Sequence, residues 1–408
     1  MSETQRKMVL PSEANATGRT FDNEEIELLI KTIRSGTLNC TRGTMVLQLE
    51  KEFARVYGVK NCIAVTSGTA ALHCAIAATN LEPGDEVITT PITDMGAITP
   101  ILYQTGVPVF ADVDPYTYNI TADTIEKKIT RRTKAIIVTH LFGNPCDMQP
   151  ILDLANKHGI LVIEDAAQAF FATYRGQRVG TLGSIGCFSL QQTKHMTAGE
   201  GGLVITNNPQ LARHIRLFHD KAWGYGDPKP DHYFLALNYR MTELQGAVAL
   251  AQLKKVQTVV ERRQIMAQKF TDLISTLKGI QTPKITKGAT HVYWKYVLRV
   301  DEKATGIDVG ELATRLRTRY DIFSAPRYIA KPAFQCEVLR EAKTFGNSGF
   351  PLRNNPFRKD DPPIHYRVED YPGTMDALAH MLVLPWNELY TDRHIEYIAE
   401  AIKDCLYN

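Results

Sequence analysis

The sequence predicts an α/β protein, with a mostly parallel sheet sandwiched between helices and a smaller α+β region after it. Three observations carry this. Strand-like and helix-like segments alternate from about Cys62 to Thr206. Many of the strand runs are continuous and apolar, the mark of strands covered on both faces. One long helical pattern, Thr242 to about Thr276, then leads into a stretch of mixed character.

A chain of 408 residues is long for a single core and implies two domains. The expected division is an N-terminal arm and helix over 1–35, a large domain over 36–260 and a small domain over 261–408. Apolar residues make up 44% and charged residues 22%, as in ordinary soluble globular proteins. A net charge of +3 offers no electrostatic case for nucleic acid or a membrane surface. Met1 to Leu10 lacks the apolar core of a signal peptide, and no run is long enough to span a bilayer. The seven cysteines are scattered, odd in number and free of C-x-x-C spacing. That argues against a disulfide framework and a zinc site, and fits a reducing cytoplasm.

In chain order, residues 1–20 are polar and expected to be extended. Phe21 to Ser35 reads as a helix, with capping residues at Asp22 and Asn23, acids in the first turn, and an apolar face of Ile26, Leu29, Ile30 and Ile33. Gly36 ends it. Val46 to Tyr57 is a second amphipathic helix. Cys62–Val65 is a strand, Thr66–Thr69 a small polar turn, and Ala70–Ala78 a helix. Such a helix start offers free backbone N–H groups to an anion, although Ser and Thr are also ordinary caps. Further strands are expected at Glu86–Thr90, Val107–Asp112, Ala135–His140, Ile160–Glu164, Cys187–Leu190 and Leu203–Thr206. Helices are expected at Thr121–Ile129 and Met148–His158. Beyond the long helix, Val292–Val300 reads as a strand, and Val309–Arg319 and His394–Leu406 as helices. Residues 346–373 read as a long loop. The glycines at 180, 183 and 186 do not open a helix in dinucleotide spacing.

Ligands of parallel sheets bind beyond the strand carboxyl ends. The polar residues there are Ser67 and Thr69, Thr93 and Asp94, His140, Asp165 and Gln168, and Ser189 with Lys194. Lys194 lies in a loop between two core strands, followed by Gly199, Gly201 and Gly202. Asp165 ends a buried strand, where an acid needs a cationic partner or several donors. A protonated pyridine nitrogen is one such partner. Pyridoxal phosphate needs a Schiff-base lysine, commonly an acid at the ring nitrogen, and a phosphate cradle. Ser67-Gly68-Thr69, Asp165 and Lys194 offer all three. Taken singly, Asp165 reads equally as a helix cap and Lys194 as a surface lysine; their joint arrangement is the informative feature.

The chain resembles the DegT/DnrJ/EryC1/StrS family of sugar aminotransferases, fold-type I pyridoxal-phosphate enzymes, from about Phe21 to the C-terminus. The motifs are Thr66-Ser-Gly-Thr-Ala-Ala-Leu-His, Pro-Gly-Asp-Glu-Val-Ile at 83–88, Val109-Phe-Ala-Asp-Val-Asp, Ile163-Glu-Asp-Ala-Ala-Gln, Phe188-Ser-Leu-Gln-Gln-Thr-Lys, Gly199-Glu-Gly-Gly and Asn238-Tyr-Arg-Met-Thr-Glu-Leu-Gln. The segment ending in Lys194 is similar to that of inosose (cyclitol) aminotransferases of antibiotic pathways. The resemblance implies that Lys194 forms the internal aldimine, Asp165 pairs with the pyridine nitrogen and Gln168 reaches the ring hydroxyl. It further implies that Ser189 binds the phosphate with Gly68 and Thr69, and that Asn238, with Arg240 nearby, reaches it from the other subunit of a homodimer. The implied activity moves an amino group from glutamine or glutamate to a keto-sugar or keto-cyclitol.

One position departs from the family pattern. Asp94, in Pro91-Ile-Thr-Asp-Met, stands where an aromatic ring is expected over the cofactor, so either its carboxylate touches cofactor or substrate or Met95 covers the ring. His140 and His195 are further pocket candidates whose plainer reading is structural. Trp223, Tyr225, Arg327 and Tyr328 are candidates for a sugar pocket, and Arg353, Arg358, Lys359 and Arg367 form a basic loop that reads more simply as solvated. Two other readings are a sugar dehydratase, whose relatives replace the lysine with histidine, and a non-catalytic homologue, which only Asp94 supports.

Overall fold

A computed structural model describes residues 7–407. The expectation for residues 1–6 lies outside that range. The chain order of strands is β1 (Asn61–Val65), β2 (Glu86–Thr89), β3 (Val107–Phe110), β4 (Thr133–Thr139), β5 (Leu161–Asp165), β6 (Thr173–Tyr174), β7 (Gln177–Arg178), β8 (Ile185–Ser189), β9 (Gly202–Thr206), β10 (Ile280–Gln281), β11 (Ala289–Thr290), β12 (Lys295–Val300), β13 (Ala325–Pro326) and β14 (Met381–Pro385). The principal sheet has seven strands in the order β1-β9-β8-β5-β4-β2-β3. Neighbours from β3 through β8 pair in parallel, and β9 runs antiparallel to both β8 and β1. The mixed, mostly parallel sheet thus has one reversed strand, and Lys194 lies in the connection that reverses it.

Helices α1 (Asn23–Arg34), α2 (Met45–Tyr57), α3 (Gly68–Ala77), α4 (Thr99–Tyr103), α5 (Ala122–Glu126), α6 (Met148–His158), α7 (Pro209–Phe218) and α8 (Glu243–Ile274) surround this sheet or lead away from it. One face of the sheet packs Leu49, Phe53, Phe170 and Phe188 in a single buried cluster. The other packs the largely apolar helix α3 with Val65, Ile137 and Ile163. Each fully buried side chain of this kind contributes about 1.5–3 kcal/mol. A four-stranded sheet, β10-β12-β14-β13, carries a separate core with Phe270, Tyr296, Leu312, Trp386 and Ile402. Helix α8 belongs to both cores: Leu253, Val256 and Val260 to the first, Phe270 and Ile274 to the second. It starts with a capping box, Thr242 and Gln245, that fixes its entry angle.

Several expectations change in detail. The helix expected at 121–129 spans only Ala122–Glu126, because Lys127 already caps it. The strand expected from 292 begins at Lys295; Tyr293 has a left-handed backbone, φ 49°, and breaks the extended run. Helix α1 has its Asp22–Glu25 capping box, but Ile26, Ile30 and Ile33 are exposed while Leu28 and Leu29 face inward. The stretch after β13 is mainly irregular, with short turns at Pro356–Arg358 and Val368–Asp370, and it lies over β3. Phe334 packs on Phe110, and the Tyr366 hydroxyl donates to the Pro108 carbonyl at 2.6 Å.

Candidate active site

The site is assembled at the carboxyl end of the principal sheet. Ser67 follows β1 and caps α3, its Oγ accepting from the Ala70 N–H at 3.0 Å. The first N–H groups of α3 are therefore directed outward with the positive end of the helix dipole behind them. Ser189, at the end of β8, lies against this helix start. A Cβ added at Gly68 would stand 2.7 Å from the Ser189 Cβ and 3.0 Å from its Oγ. Only glycine allows that approach. Thr69 lies on the other flank: a Cβ built on Gly96 would be 2.6 Å from Thr69 Oγ1 and 3.0 Å from Asp94 Oδ1. Ser67, Gly68, Thr69, Ser189 and Asp94 thus form one group.

Asp165 is buried at the end of β5. Its Oδ1 accepts from the Ala167 N–H at 3.1 Å, and Thr139 Oγ1 stands a long 3.5 Å from Oδ2. Burial pushes its pKa up, partly opposed by the Ala167 N–H, Lys194 and His140, while the Asp94 carboxylate adds to the rise. Gln168 is held by its Oε1, which accepts the Phe142 N–H at 2.7 Å. Its Nε2 is left as the donor at the pocket, 3.4 Å from the Tyr328 hydroxyl.

The Lys194 ammonium lies 4.1 Å from the centre of the Trp294 ring. Burial lowers its pKa to about 8; Asp165, Asp94 and Glu13 pull it back up and Lys295 pushes it further down. Lys194 therefore has an appreciable neutral fraction near pH 8, as a nucleophile and proton carrier requires. Asp94 is the exposed cap of a short turn, accepting from the Gly96 N–H at 2.8 Å. It bears electrostatically on Lys194, Asp165 and Tyr328. Met95 packs against the cluster that holds Ile98, Leu102 and Phe334.

Other candidates separate. His140 is fully buried, with Nε2 on Glu164 at 3.0 Å and Nδ1 accepting from the Cys146 N–H at 3.1 Å. His195 is buried with Nε2 on the Val292 carbonyl, and burial pushes its pKa well below the usual range. Each ring is committed to partners inside the core. Asn238 is exposed in a segment that pairs alongside β1, and Arg240 forms an ion pair with Asp220. Neither joins the Lys194 group within the protomer. Trp223 packs with both Tyr225 and His232 in the neighbouring loop. Arg327 is exposed, whereas Tyr328 sits edge-on to Phe142 and Trp294 beside Gln168. In the basic loop, Arg358 is tied to Glu86 at 2.8 Å and to the Gly84 carbonyl, Arg367 to Asp370, and Arg353 to the Arg340 carbonyl. Lys359 is exposed.

Trp294, Thr139 and Phe142 are site residues that sequence reasoning missed. The one signal for Trp294 was its place in the aromatic run His291-Val-Tyr-Trp-Lys-Tyr.

An activated lysine, a buried acid short of donors and a serine-flanked helix start fit a phosphate-bearing pyridine aldehyde, and so define a pyridoxal-phosphate enzyme. A sequence-family model described as the DegT/DnrJ/EryC1/StrS aminotransferase family matches residues 19–358. The chain belongs to this family. It is similar to the spore coat polysaccharide biosynthesis protein SpsC of Bacillus subtilis, with 33% identity over 390 residues, 93% of this chain and 94% of that one. It is also similar to the GDP-perosamine synthase of Caulobacter vibrioides, with 40% identity over 263 residues, 64% and 70% of the two chains. Among solved structures, an aminotransferase from Psychrobacter cryohalolentis matches with a TM-score of 0.84 and 28% identity, covering 96% of this chain and 99% of that one. The chain is thus a pyridoxal-phosphate-dependent aminotransferase of a sugar aminotransferase family. Among the described residues no helix is long and apolar enough to cross a membrane.

Proposed function

We propose that the chain transfers the amino group of glutamine or glutamate to a nucleotide-linked keto-sugar, and that Lys194 and Asp165 are its catalytic residues. The observation that supports this best is the lowered pKa of Lys194 in the same group as Asp165 and the α3 start. The acceptor class is supported by the GDP-perosamine synthase relative. The bound cofactor supplies the electron sink and carries the amino group between the two substrates. Ser67, Gly68, Thr69 and Ser189 hold its phosphate through the helix N–H groups and hydroxyls. Asp165 keeps the pyridine nitrogen protonated, and Gln168 donates through Nε2 to the ring hydroxyl. Lys194 Nζ takes the proton from the amino-bearing carbon of the donor and later delivers one to the former carbonyl carbon of the acceptor. Asp94 and Tyr328 border the face where substrate enters. Asn238, with Arg240 nearby, reaches the phosphate of a partner subunit in a homodimer.

A free keto-cyclitol is the second reading, favoured by the likeness of the segment ending in Lys194 to inosose aminotransferases. Incubating the cofactor-loaded enzyme with glutamine and each acceptor in turn separates the two by mass of the aminated product. One pocket serving both substrates predicts parallel double-reciprocal lines; intersecting lines sink the proposal.

A further inference from the structure

We infer that the N-terminal arm positions the loop bearing Lys194 and that Arg19 is the positioning residue through which it acts; this rests on Lys194 being the reactive lysine. The loop between β8 and β9 has no regular structure of its own, yet four consecutive residues in it are anchored from outside. The Arg19 Nη1 donates to the Lys194 carbonyl at 2.9 Å, across 175 residues of chain. Gln192 Nε2 donates to the Glu13 carbonyl at 3.0 Å. Trp294 Nε1 holds the Thr193 carbonyl at 2.9 Å, and His195 Nε2 the Val292 carbonyl at 2.9 Å. The arm supplies two of these anchors and the approach to β12 the other two.

Arg19 ties its own side together. Its Nε donates to the Glu13 carbonyl at 3.1 Å, so one planar guanidinium spans the arm and the lysine loop at a fixed angle. The arm is pinned in turn by Glu13 on Lys295 and by Asn387 Nδ2 on the Gly18 carbonyl at 3.0 Å. Arg263 pairs with Glu388 at 2.7 Å in the same cluster. Arg19 and Glu13 are only 6% and 8% exposed. Burying so many charges is costly, and apolar residues of similar volume commonly hold a fold as well or better. Stability alone is therefore a weak reason for the cluster. Fixing the direction in which Lys194 leaves the backbone is a stronger one.

The test uses the full-length, cofactor-loaded enzyme with Arg19→Leu and Arg19→Lys. Hydrogen exchange in Arg19→Leu is expected to rise about tenfold across 190–198 and to stay within about twofold across 202–206. A displacement of the lysine is expected to lower kcat about 10–100-fold with KM changed less than about threefold. Arg19→Lys, which can reach one acceptor but not both, should fall between, and carries the test if Arg19→Leu does not fold. Unchanged exchange in the lysine loop overturns the inference. So does an equal rise in both segments, which marks a general loss of stability. Activity retained by Lys194→Ala would instead overturn the assignment of the lysine, and the exchange result would stand apart from it.

Discussion

Glu164 and Asp165 are consecutive, buried, at the end of the same strand, and face opposite sides of the sheet. Glu164 is saturated: it accepts from the N–H groups of Gly180, Leu182 and Gly183 at 2.6–2.7 Å and from His140 at 3.0 Å. Asp165 has one backbone donor and a long contact with Thr139. Glu164 is a fastener between β5 and the loop before β8. Asp165 is left short of donors where a cationic ligand can complete it. Burial and residue type do not separate these acids; the number of donors does.

The contrast can be broken by substitution. Lys194→Ala, which removes the group proposed to act on the Asp165 side, is expected to lower turnover about 10³-fold or more. It should also abolish the cofactor's lysine-dependent absorbance. Asp165→Asn keeps the shape but not the charge; kcat is expected to fall about 10²-fold or more. Its melting temperature should hold or rise, because burial already opposes ionisation there. Glu164→Gln should do the reverse, costing about 3 kcal/mol in denaturant unfolding while kcat per folded molecule changes little. If Glu164→Gln loses activity without losing stability, the division between the two faces is wrong.

The smallest effect concerns charge alone. In the cofactor-free protein Lys194 titrates near 8 against an ordinary 10.5. Between those values the unfolded chain binds the extra proton, so stability rises with pH in that window. Below pH 8 the penalty is fully present. Cofactor-free Lys194→Met should therefore be more stable than the parent by about 2 kcal/mol at pH 7. The gap should close as pH climbs from 8 to 10.5, measured by urea unfolding at both ends.

Much of the principal sheet was legible because its strands are short apolar runs bounded by turns, and β1 through β5 appear within a residue or two of expectation. The long helix was legible through its period. Helix α7 was missed although Asn208 and Pro209 are good start signals. Strand β14 was missed because Met381–Leu384 is too short to tell from a helix segment by period. At the site, Ser67–Thr69, Asp165 and Ser189 with Lys194 were readable because each sits at a strand end. Trp294, Tyr328 and Arg19 were not placed, because nothing local says that residues a hundred or more positions from Lys194 will gather around it.

Both margins of the principal sheet are closed to further pairing. At β1 the Val65–Arg240 bridge and the Thr66 N–H on the Tyr239 carbonyl occupy the free side. At β3, Pro108 contributes no N–H and its carbonyl is taken by Tyr366. A sheet finished in this way cannot grow by adding strands from another molecule. The exposed Ile26, Ile30 and Ile33 row is one apolar surface through which copies of the chain can meet by side chains. The covering segment over β3 thus acts as a guard against fibrous association. Removing the part of it that holds Tyr366 should increase aggregation on warming, read by light scattering.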